Sequence, residues 1–376
     1  MTVPGSCLHR IRASLHIIAQ GFGCTRDFLK ERNNSAYCRL KKIPCGCKQQ
    51  ARARHPGEKC GLAVCCGLLL ICTSLPGGAS PGFASRDLNP ILQSIYLPGY
   101  APQWSEDEWQ LSHTLYVTNT SQRQTAGDET LLIDVENYRY EFSLSHRIND
   151  WVIQGSLPLI SNQGGFLDSA IENYHDALGL PQGNRPSFAR DQIEIEYSQD
   201  GMIAYQQTVS SSGLGDISIA FGYHPLENNT AYFLGIEFAT GSQADFTGNE
   251  AIDIALWMIH SQAISLKANW YGLVGATFPG SNGLLKDLLV EQIWIGQIGV
   301  NYQFTDTTTG IVQLDMHSET IKNSALKAFG NSVQAQLGFH FNELIGRHSL
   351  DVFFSEDILV GSAPDISFGL RLSRGF

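Results

Sequence analysis

From residue 109 to the C-terminus, apolar and polar residues alternate with a period of two over most of the chain. Tyr138, Tyr140 and Phe142, for example, are separated by charged residues. Such alternation places apolar side chains on one face of a strand and polar side chains on the other. The pattern predicts an all-β protein with twelve strands, near residues 109–117, 138–144, 151–157, 217–223, 232–238, 252–258, 264–270, 294–304, 312–316, 333–341, 350–354 and 366–376.

The connections between these strands alternate in length. Short ones, such as HRIND at 146–150 and PLENNT at 225–230, alternate with longer ones at 118–130, 160–214, 240–250, 277–290, 319–328 and 356–364. Membrane barrels have tight turns at the periplasmic end and longer loops outside the cell, and a tilted strand of about ten residues crosses the bilayer. We therefore predict a transmembrane antiparallel up-and-down β-barrel of about twelve strands over residues 109–376.

The longest connection, 160–214, contains a different pattern. Leu167, Ile171, Tyr174 and Leu178 recur at the spacing of one helix face, and Gly179 suits the left-handed position that ends a helix. We predict one short helix in this long extracellular loop. The same connection contains Asp-Gly at 200–201 between two alternating runs, which indicates a hairpin. The hairpin either stands above the membrane or adds two strands to the wall, which would then have fourteen.

The N-terminal part of the chain differs in charge and in cysteine content. Residues 1–72 hold 12 Lys and Arg against 3 Asp and Glu, whereas the remaining residues hold 13 against 33. All nine cysteines lie between Cys7 and Cys72, without the paired C-x-x-C spacing of a zinc finger. The barrel region is therefore acidic and free of disulfides. The contrast indicates that only this region belongs to the exported protein.

Residues 59–84 have the features of a secretory signal peptide. Basic residues precede an apolar run at 62–75, and GFA at 82–84 places small residues at the −3 and −1 positions of a cleavage site before Ser85. A single membrane helix fits less well because the run is short, and a lipoprotein signal ending at Cys72 lacks a small residue before the cysteine. We interpret residues 1–58 as a spurious or unstructured extension, and residues 85–108 as a periplasmic segment preceding the barrel.

The polar face of the predicted strands lines the lumen. Its charged candidates are Arg139, Glu141, Glu237, Asp253, Lys267, Asp315, Asp351 and Arg371. Twelve strands enclose a bore between that of a filled eight-stranded barrel and that of a wide porin. The polar wall has two interpretations of equal weight, namely a water-filled channel and a hydrogen-bonded network that crosses the barrel.

The chain ends on a strand, DISFGLRLSRGF, whose last residue is Phe376. This ending resembles the C-terminal signal of Gram-negative outer-membrane proteins, which their assembly machinery reads. Together with the signal peptide and the alternating strands, it predicts location in the outer membrane of a Gram-negative bacterium. The expected partners are outer-membrane lipid, the barrel assembly machinery and an unidentified small solute, but not nucleic acid.

Three stretches carry a family resemblance: NPILQSIYLPG, GGFLDSAIENYHDALGLPQGNR and GLGDISIAFGY. They resemble an uncharacterised family, a domain of unknown function, found in Gram-negative outer-membrane barrel proteins. The resemblance covers residues 85–376 and implies the barrel fold. It implies no substrate and no catalytic residue.

Two chemical alternatives concern the loop helix. Some twelve-stranded outer-membrane barrels are phospholipases with a His-x-Ser-Asn-Gly pattern, and HDALG at His175 lacks the serine. Asp168, Glu172 and His175 share a helix face at a spacing that three metal ligands can use. A solvated polar face is the ordinary explanation of that spacing. We predict no enzyme activity and no cofactor, with loosely bound calcium or magnesium at the acidic outer loops as the alternative.

The function that fits this pattern best is a porin-like channel for small solutes. Its mouth would be narrowed by the 160–214 loop, with Asp168, Glu172, Tyr174, His175 and Asp176 as constriction candidates. The alternative is a structural or partner-binding outer-membrane barrel without transport. An outer-membrane lipase or protease is the third and weakest hypothesis.

Overall fold

The computed structural model describes residues 82–99, 108–179, 182, 185–225, 228–280, 282 and 285–376. The predicted extension at 1–58 and nearly all of the predicted signal peptide lie outside the described residues. Among the described residues, no helix is both long and apolar enough to cross a bilayer.

The described chain is dominated by β-strands with one α-helix in the longest connection. Two short 3₁₀ segments lie at Arg185–Ser187 and Lys327–Phe329. The strands and the helix are β1 Trp109–Ala126, β2 Glu129–Ile148, β3 Trp151–Gln163, α1 Asp168–Leu178, β4 Glu194–Gln199, β5 Met202–Gln207, β6 Ser211–Leu214, β7 Ile217–Tyr223, β8 Thr230–Phe238, β9 Asp253–Ala263, β10 Ala268–Phe278, β11 Ile293–Gln303, β12 Thr308–His317, β13 Ser332–Ile345, β14 His348–Asp357 and β15 Ile366–Gly375.

Twelve of these strands form a closed antiparallel ring. β1, β2, β3 and then β7 to β15 pair in order, and β15 pairs with β1 to complete the circle. The closing pair is hydrogen-bonded to its end, because Trp109 and Phe376 exchange backbone bonds of 3.1 and 2.9 Å. A closed ring leaves no unpaired strand edge in lipid. The predicted twelve-stranded barrel is confirmed.

The hairpin at 200–201 stands above this ring. Residues 136–148 of β2 pair with β3, and residues 129–134, at the other end of β2, pair with β4. β4 and β5 form a hairpin whose turn residues Asp200 and Gly201 have φ values of 53° and 72°. A type I′ hairpin turn requires left-handed backbone at both of its central residues. The wall therefore has twelve strands and not fourteen.

The two ends of the barrel differ, and we call them the short-turn end and the long-loop end. The short-turn end carries the connections β2–β3, β7–β8, β9–β10, β11–β12 and β13–β14, and the long-loop end carries the others. The prediction of a long loop at 118–130 was wrong, because β1 and β2 continue as a paired hairpin whose turn lies at 127–128. Polar residues interrupt the alternation there, but an extension beyond lipid needs no apolar face to remain paired.

The outer surface of the ring is an apolar belt. Side chains such as Leu115, at 38 % exposure, and Ile298, at 49 %, point away from the lumen and are exposed on the outside of the ring. A continuous apolar surface of this kind is unsuited to water and suited to lipid. Aromatic side chains gather at the short-turn end, as in the girdles of outer-membrane barrels: Trp109, Trp151, Tyr223, Tyr302 and Phe304. The fold is that of an outer-membrane barrel.

A described segment that precedes β1 in the chain lies inside the ring. Residues 82–99, which we call the plug, include the fully buried side chains of Phe83, Leu92 and Ile95. The interpretation of 85–108 as a periplasmic segment is therefore wrong for residues 85–99. The physical reason is the apolar content of ILQSIYL, which finds burial in the lumen and would be exposed outside it.

The inner wall is shaped to hold aromatic rings flat against it. The ring of Phe353 lies over Gly369 on the neighbouring strand, where a Cβ atom would approach Phe353 Cζ to 2.1 Å. We expect Gly369→Val to destabilise the folded barrel by about 1–3 kcal/mol, because the added atoms displace Phe353 from a filled interior. The measurement is the temperature at which the purified barrel loses its heat-modifiable migration on a denaturing gel.

The matched control is Gly155→Val on β3, where an added Cβ meets nothing within 4 Å. This variant should keep the melting temperature of the parent. Equal losses in both variants would contradict the packing argument, since they would reflect only the replacement of a strand glycine.

Candidate functional site

The plug is a compact hairpin-like segment with its own internal hydrogen bonds. At its tip, the carbonyl of Asn89 accepts bonds from the N–H groups of Leu92, at 2.9 Å, and Gln93, at 2.8 Å. Arg86 Nη2 donates to the carbonyl of Ile95 at 2.6 Å and links the two arms. These bonds join the tip and the two arms of the plug to one another.

The first arm of the plug binds side chains of β12 and β15. The amide of Gln313 both accepts from the Phe83 N–H and donates to the Phe83 carbonyl, each at 3.1 Å. Arg371 Nη2 donates to the carbonyl of Gly82 at 3.2 Å, and the Ser85 hydroxyl donates to Asp315. Side chains of the wall thus satisfy plug backbone groups that would otherwise be buried without partners.

The second arm and the tip bind the wall near the long-loop end. The Tyr96 N–H donates to Asp253 Oδ2 at 3.0 Å, and the Thr277 hydroxyl donates to the Tyr96 carbonyl at 2.6 Å. Asp87 lies 3.0 Å from Nε2 of His317, the last residue of β12. Because Asp253 begins β9 and His317 ends β12, the plug occupies the half of the lumen nearest the long loops.

Aromatic rings of the plug also pack against aromatic rings of the wall. Phe83 stacks on Phe353 with ring centroids 4.4 Å apart, and Tyr116 meets the same ring edge-on at 6.1 Å. Tyr96 contacts Trp257 edge-on at 6.3 Å. Such pairs contribute attraction beyond simple burial of area. The lumen is therefore packed at this level and not an open bore.

The structure places most of the predicted lumen residues on the inner face of the ring. Arg139 forms an ion pair with Glu141, with Nη2 and Oε2 3.0 Å apart. Glu237 lies opposite Asp253, the register partner on the next strand. These four, with Asp315, Asp351 and Arg371, are buried or half-buried. Lys267 does not reach the lumen, because β9 ends at Ala263 and Lys267 lies exposed in the short turn before β10.

Several charged lumen residues are bound to one another and to the plug. Arg371 Nε donates to Asp351 Oδ2 at 2.5 Å, and His340 Nδ1 lies 2.6 Å from the other oxygen of that carboxylate. The structure thus shows a hydrogen-bonded wall, but these charged pairs join residues of one strand or of neighbouring strands, whereas the predicted network crossed the barrel. This hydrogen-bonded wall serves as the socket of the plug, since Arg371 also binds Gly82.

Helix α1 is attached at its N-terminus to the rim of the barrel. Buried Asp168 accepts from Asn119 Nδ2 of β1 at 3.0 Å and from Arg185 Nη1 at 3.4 Å. Arg185 Nη2 also binds Asp365 Oδ2 at 2.9 Å, which joins the 164–216 connection to the loop before β15. Burial raises the pKa of Asp365, and Arg185 opposes that rise.

The helix N-terminus has a second carboxylate partner. Glu136 of β2 is fully buried, and its Oε2 accepts from the N–H groups of Phe166, at 3.1 Å, and Leu167, at 2.8 Å. A negative charge at this end of a helix is favourable because unpaired N–H groups point toward it. The helix is thus fixed on one side of the mouth by β1 and β2.

The other constriction candidates do not form one cluster. Glu172 binds the exposed Arg190, with Nε and Oε1 3.4 Å apart, and Asp176 accepts from Gln182 at 2.6 Å. Tyr174 is 44 % exposed, and the ring of His175 lies 5.8 Å from it. No three His, Cys, Asp or Glu side chains within the described ranges are arranged to hold a metal ion.

The predicted helix face and helix end have separate outcomes. Ile171 is buried and Leu167 is half-buried, whereas the side chain of Leu178 lies outside the described residues. Gly179 has a φ of 68° and donates to carbonyls of the last turn, as expected for a residue that ends a helix. The expected contributions of residues 180 and 181 to the helix end also lie outside the described residues.

A third attachment holds the β8–β9 loop. Asp216, just before β7, accepts bonds from the N–H groups of Thr240, Gly241 and Asn249 at 2.8 to 2.9 Å. Burial raises the pKa of Asp216, and these three N–H groups oppose that rise. The loop in turn contacts the plug, where the Phe246 carbonyl accepts from Gln93 at 3.4 Å.

The sequence pattern missed the aromatic part of the lumen. Tyr116, Phe233, Trp257, Tyr271 and Phe353 all point inward and are at most 6 % exposed. Each stands at a position whose alternation phase faces the lumen, where polar residues are expected. Large apolar residues at that phase, together with the apolar stretch before β1, were the available signal that the lumen contains protein.

The comparisons with known proteins agree with the fold. Residues 83–376 match the model of a family described as a protein of unknown function, DUF3187, and the chain belongs to this family. No match was found among curated proteins.

Similar solved structures include the COG4313 outer membrane channel from Pseudomonas putida F1, with a TM-score of 0.50 and 11 % identity over 76 % of this chain and 98 % of that chain. The NanC porin is similar with a TM-score of 0.38 and 8 % identity over 71 % of this chain and 98 % of that one. At such identity the first of these similarities supports the barrel fold alone, and the second supports no conclusion.

The ion pairs of helix α1 allow a direct test of what holds the loop. The side chain of Arg185 is 3 % exposed and joins two carboxylates, so Arg185→Met leaves Asp168 and Asp365 without their cation. Removal of one partner from a buried pair costs about 3–5 kcal/mol. We expect the 164–193 region to be cleaved at least tenfold faster in limited proteolysis of the folded barrel.

The control is Arg190→Met, which removes the exposed partner of Glu172 on the same helix. Exposed ion pairs contribute little, so its cleavage rate should match that of the parent. If the two variants were cleaved equally fast, Arg185 would not be the anchor of the loop.

Proposed function

We propose that this protein is a porin-like outer-membrane channel for small solutes whose lumen is closed by its own N-terminal plug. The short-turn end faces the periplasm and the long-loop end faces outward. The observation that carries the proposal is that the ring is wide enough to hold the whole of residues 82–99 and is complete without them. When the plug is withdrawn, such a barrel has an open lumen.

The contacts of the plug support a removable element. Among the described residues, its hydrogen bonds to the strands run to side chains of the wall, such as Gln313 and Arg371, and not to backbone groups of the strand ladders. Withdrawal of the plug therefore breaks no strand pairing. The side chains it uncovers include amides and charged groups, which water in an open lumen can satisfy.

The role of the 164–216 connection changes accordingly. The sequence predicted that the 160–214 loop, which corresponds to residues 164–216 between β3 and β7, narrows the mouth, with α1 as the constriction. In the proposed channel, the plug is the main barrier, and α1 is a secondary cover on the β1–β2 side of the mouth, attached through Asp168 and Glu136.

A non-conducting barrel that presents its loops to a partner is the second candidate. The observation in its favour is apolar exposure at the long-loop end, where Met202 is 71 %, Val209 70 % and Val360 75 % exposed. The packed lumen also fits this candidate. Conductance separates it from a channel.

We assign no enzymatic role to His317 or His340, because both serve structural contacts to aspartates of the plug or wall. We propose no resident cofactor, with weak calcium or magnesium binding at the acidic loops as a point for titration. We propose that Phe376, whose ring is exposed at the end of the last strand, is recognised by the assembly machinery before the ring closes.

Deletion of the plug tests the channel. A chain that lacks residues 86–95 should insert into planar bilayers with a single-channel conductance at least several-fold above that of the parent, because the tip and most of its apolar contacts are removed. A deletion of 164–185 should increase conductance less, since it leaves the plug in its socket. Heat-modifiable migration establishes that each barrel is folded.

The control is removal of the exposed hairpin turn at 199–202, which lies outside the ring and should leave the conductance unchanged. A folded, plug-deleted barrel with the conductance of the parent would reject the channel and favour the non-conducting barrel. A larger increase from the loop deletion than from the plug deletion would make α1 the main barrier.

A further inference from the structure

The start of the plug bears on where the leader peptide is removed. The GFA stretch at 82–84 has small residues at the positions that signal peptidase reads, which predicts cleavage before Ser85. Such cleavage would separate Gly82, Phe83 and Ala84 from the mature protein. All three residues have defined partners inside the lumen.

Phe83 makes the most extensive of these contacts. Its side chain is fully buried and stacked on Phe353, and its N–H and carbonyl are both bound by the amide of Gln313. Without Phe83, Gln313 would lose two backbone partners, and one face of Phe353 would be uncovered. Gln313 would keep its side-chain partners, such as the hydroxyl of Tyr271 at 2.6 Å and Oε1 of Gln336 at 3.0 Å. The larger loss is therefore the burial of the Phe83 ring against Phe353.

The residues on either side of Phe83 are also bound. The Gly82 carbonyl accepts from Arg371 at 3.2 Å, and the Ala84 carbonyl accepts from the hydroxyl of Tyr116. Arg371 and Tyr116 are at most 5 % exposed. Three consecutive residues thus fit a socket formed by β1, β12, β14 and β15.

We infer that Gly82, Phe83 and Ala84 belong to the mature protein as the first arm of the plug, and that the leader is cut upstream of Gly82. The GFA stretch is therefore a lumen-binding sequence and not the cleavage site. The family match, which begins at residue 83, agrees with this assignment.

The sequence contains another cleavage site at a suitable place. GGA at 77–79 also has small residues at −3 and −1. Hydrolysis of the bond between Ala79 and Ser80 by signal peptidase consumes one water and leaves a carboxylate on the leader and an amine on Ser80. The mature chain would then have two residues before Gly82.

The direct test is the N-terminal peptide of the full-length gene product, isolated from outer membranes and identified by mass spectrometry after amine labelling. The expected N-terminus lies between residues 73 and 82, with Ser80 as the specific expectation. A mature chain that begins at Ser85, or an uncut chain that begins at Met1, would overturn the inference. This readout does not depend on conductance, so it can fail or succeed independently of the proposed channel.

A second measurement uses the stability of the mature barrel. Phe83→Ala should lower its unfolding temperature measurably, and Phe83→Leu should recover part of the loss, because Leu refills part of the space beside Phe353. If the leader were cut before Ser85, residue 83 would be absent from the mature protein. Neither substitution would then change the unfolding temperature, and that result would also overturn the inference.

Discussion

Closure of the backbone hydrogen-bond ring is the constraint on which the rest of this structure depends. Inside a bilayer every N–H and C=O group needs a protein partner, and the pairing of β15 with β1 removes the last free edge. Once the ring is closed, the strand alternation sends apolar side chains to lipid and the other half of the side chains to the lumen. The lumen thus receives polar groups that must be satisfied by water, by one another or by additional protein.

In this barrel, additional protein meets much of that need. The plug has buried backbone groups that lack strand partners, and the wall has buried amides and charged groups that bind them. Gln313 illustrates the match, because one side-chain amide binds both the N–H and the carbonyl of Phe83 as a neighbouring strand would. Apolar residues fill the remaining space, so the lumen combines a hydrogen-bonded socket with a small aromatic core.

The sequence predicted the parts of the fold that obey local periodicity. Alternation identified the ring, and the spacing from Leu167 to Gly179 identified the helix and its end. The extension of β1 and β2 was missed because strands above lipid need no apolar face. Lys267 was misplaced because the alternation continues through the turn after β9.

The candidate site was less accessible to sequence reasoning. A polar inner face is the same whether it surrounds water or protein, so Arg139, Asp315 and Arg371 could be assigned to the lumen but not to a network. The plug precedes the first strand and has no period of its own. Only tertiary contacts between residues about 230 apart, such as Ser85 with Asp315 and Asp87 with His317, show what fills the barrel.

The same contacts bear on the proposed opening of the lumen, which requires no unfolding of the ring. The ladders of the wall are formed among the strands alone, and the loops at the long-loop end are held by their own anchors, at Asp168 and Asp216. The plug is joined to both by side chains whose polar groups water can replace. The main cost of withdrawal is thus exposure of Phe83, Leu92, Ile95 and the rings that cover them, since burial of apolar area has no substitute in a wet lumen. A solute that occupied those apolar positions would lower this cost, whereas a fully hydrated ion would not.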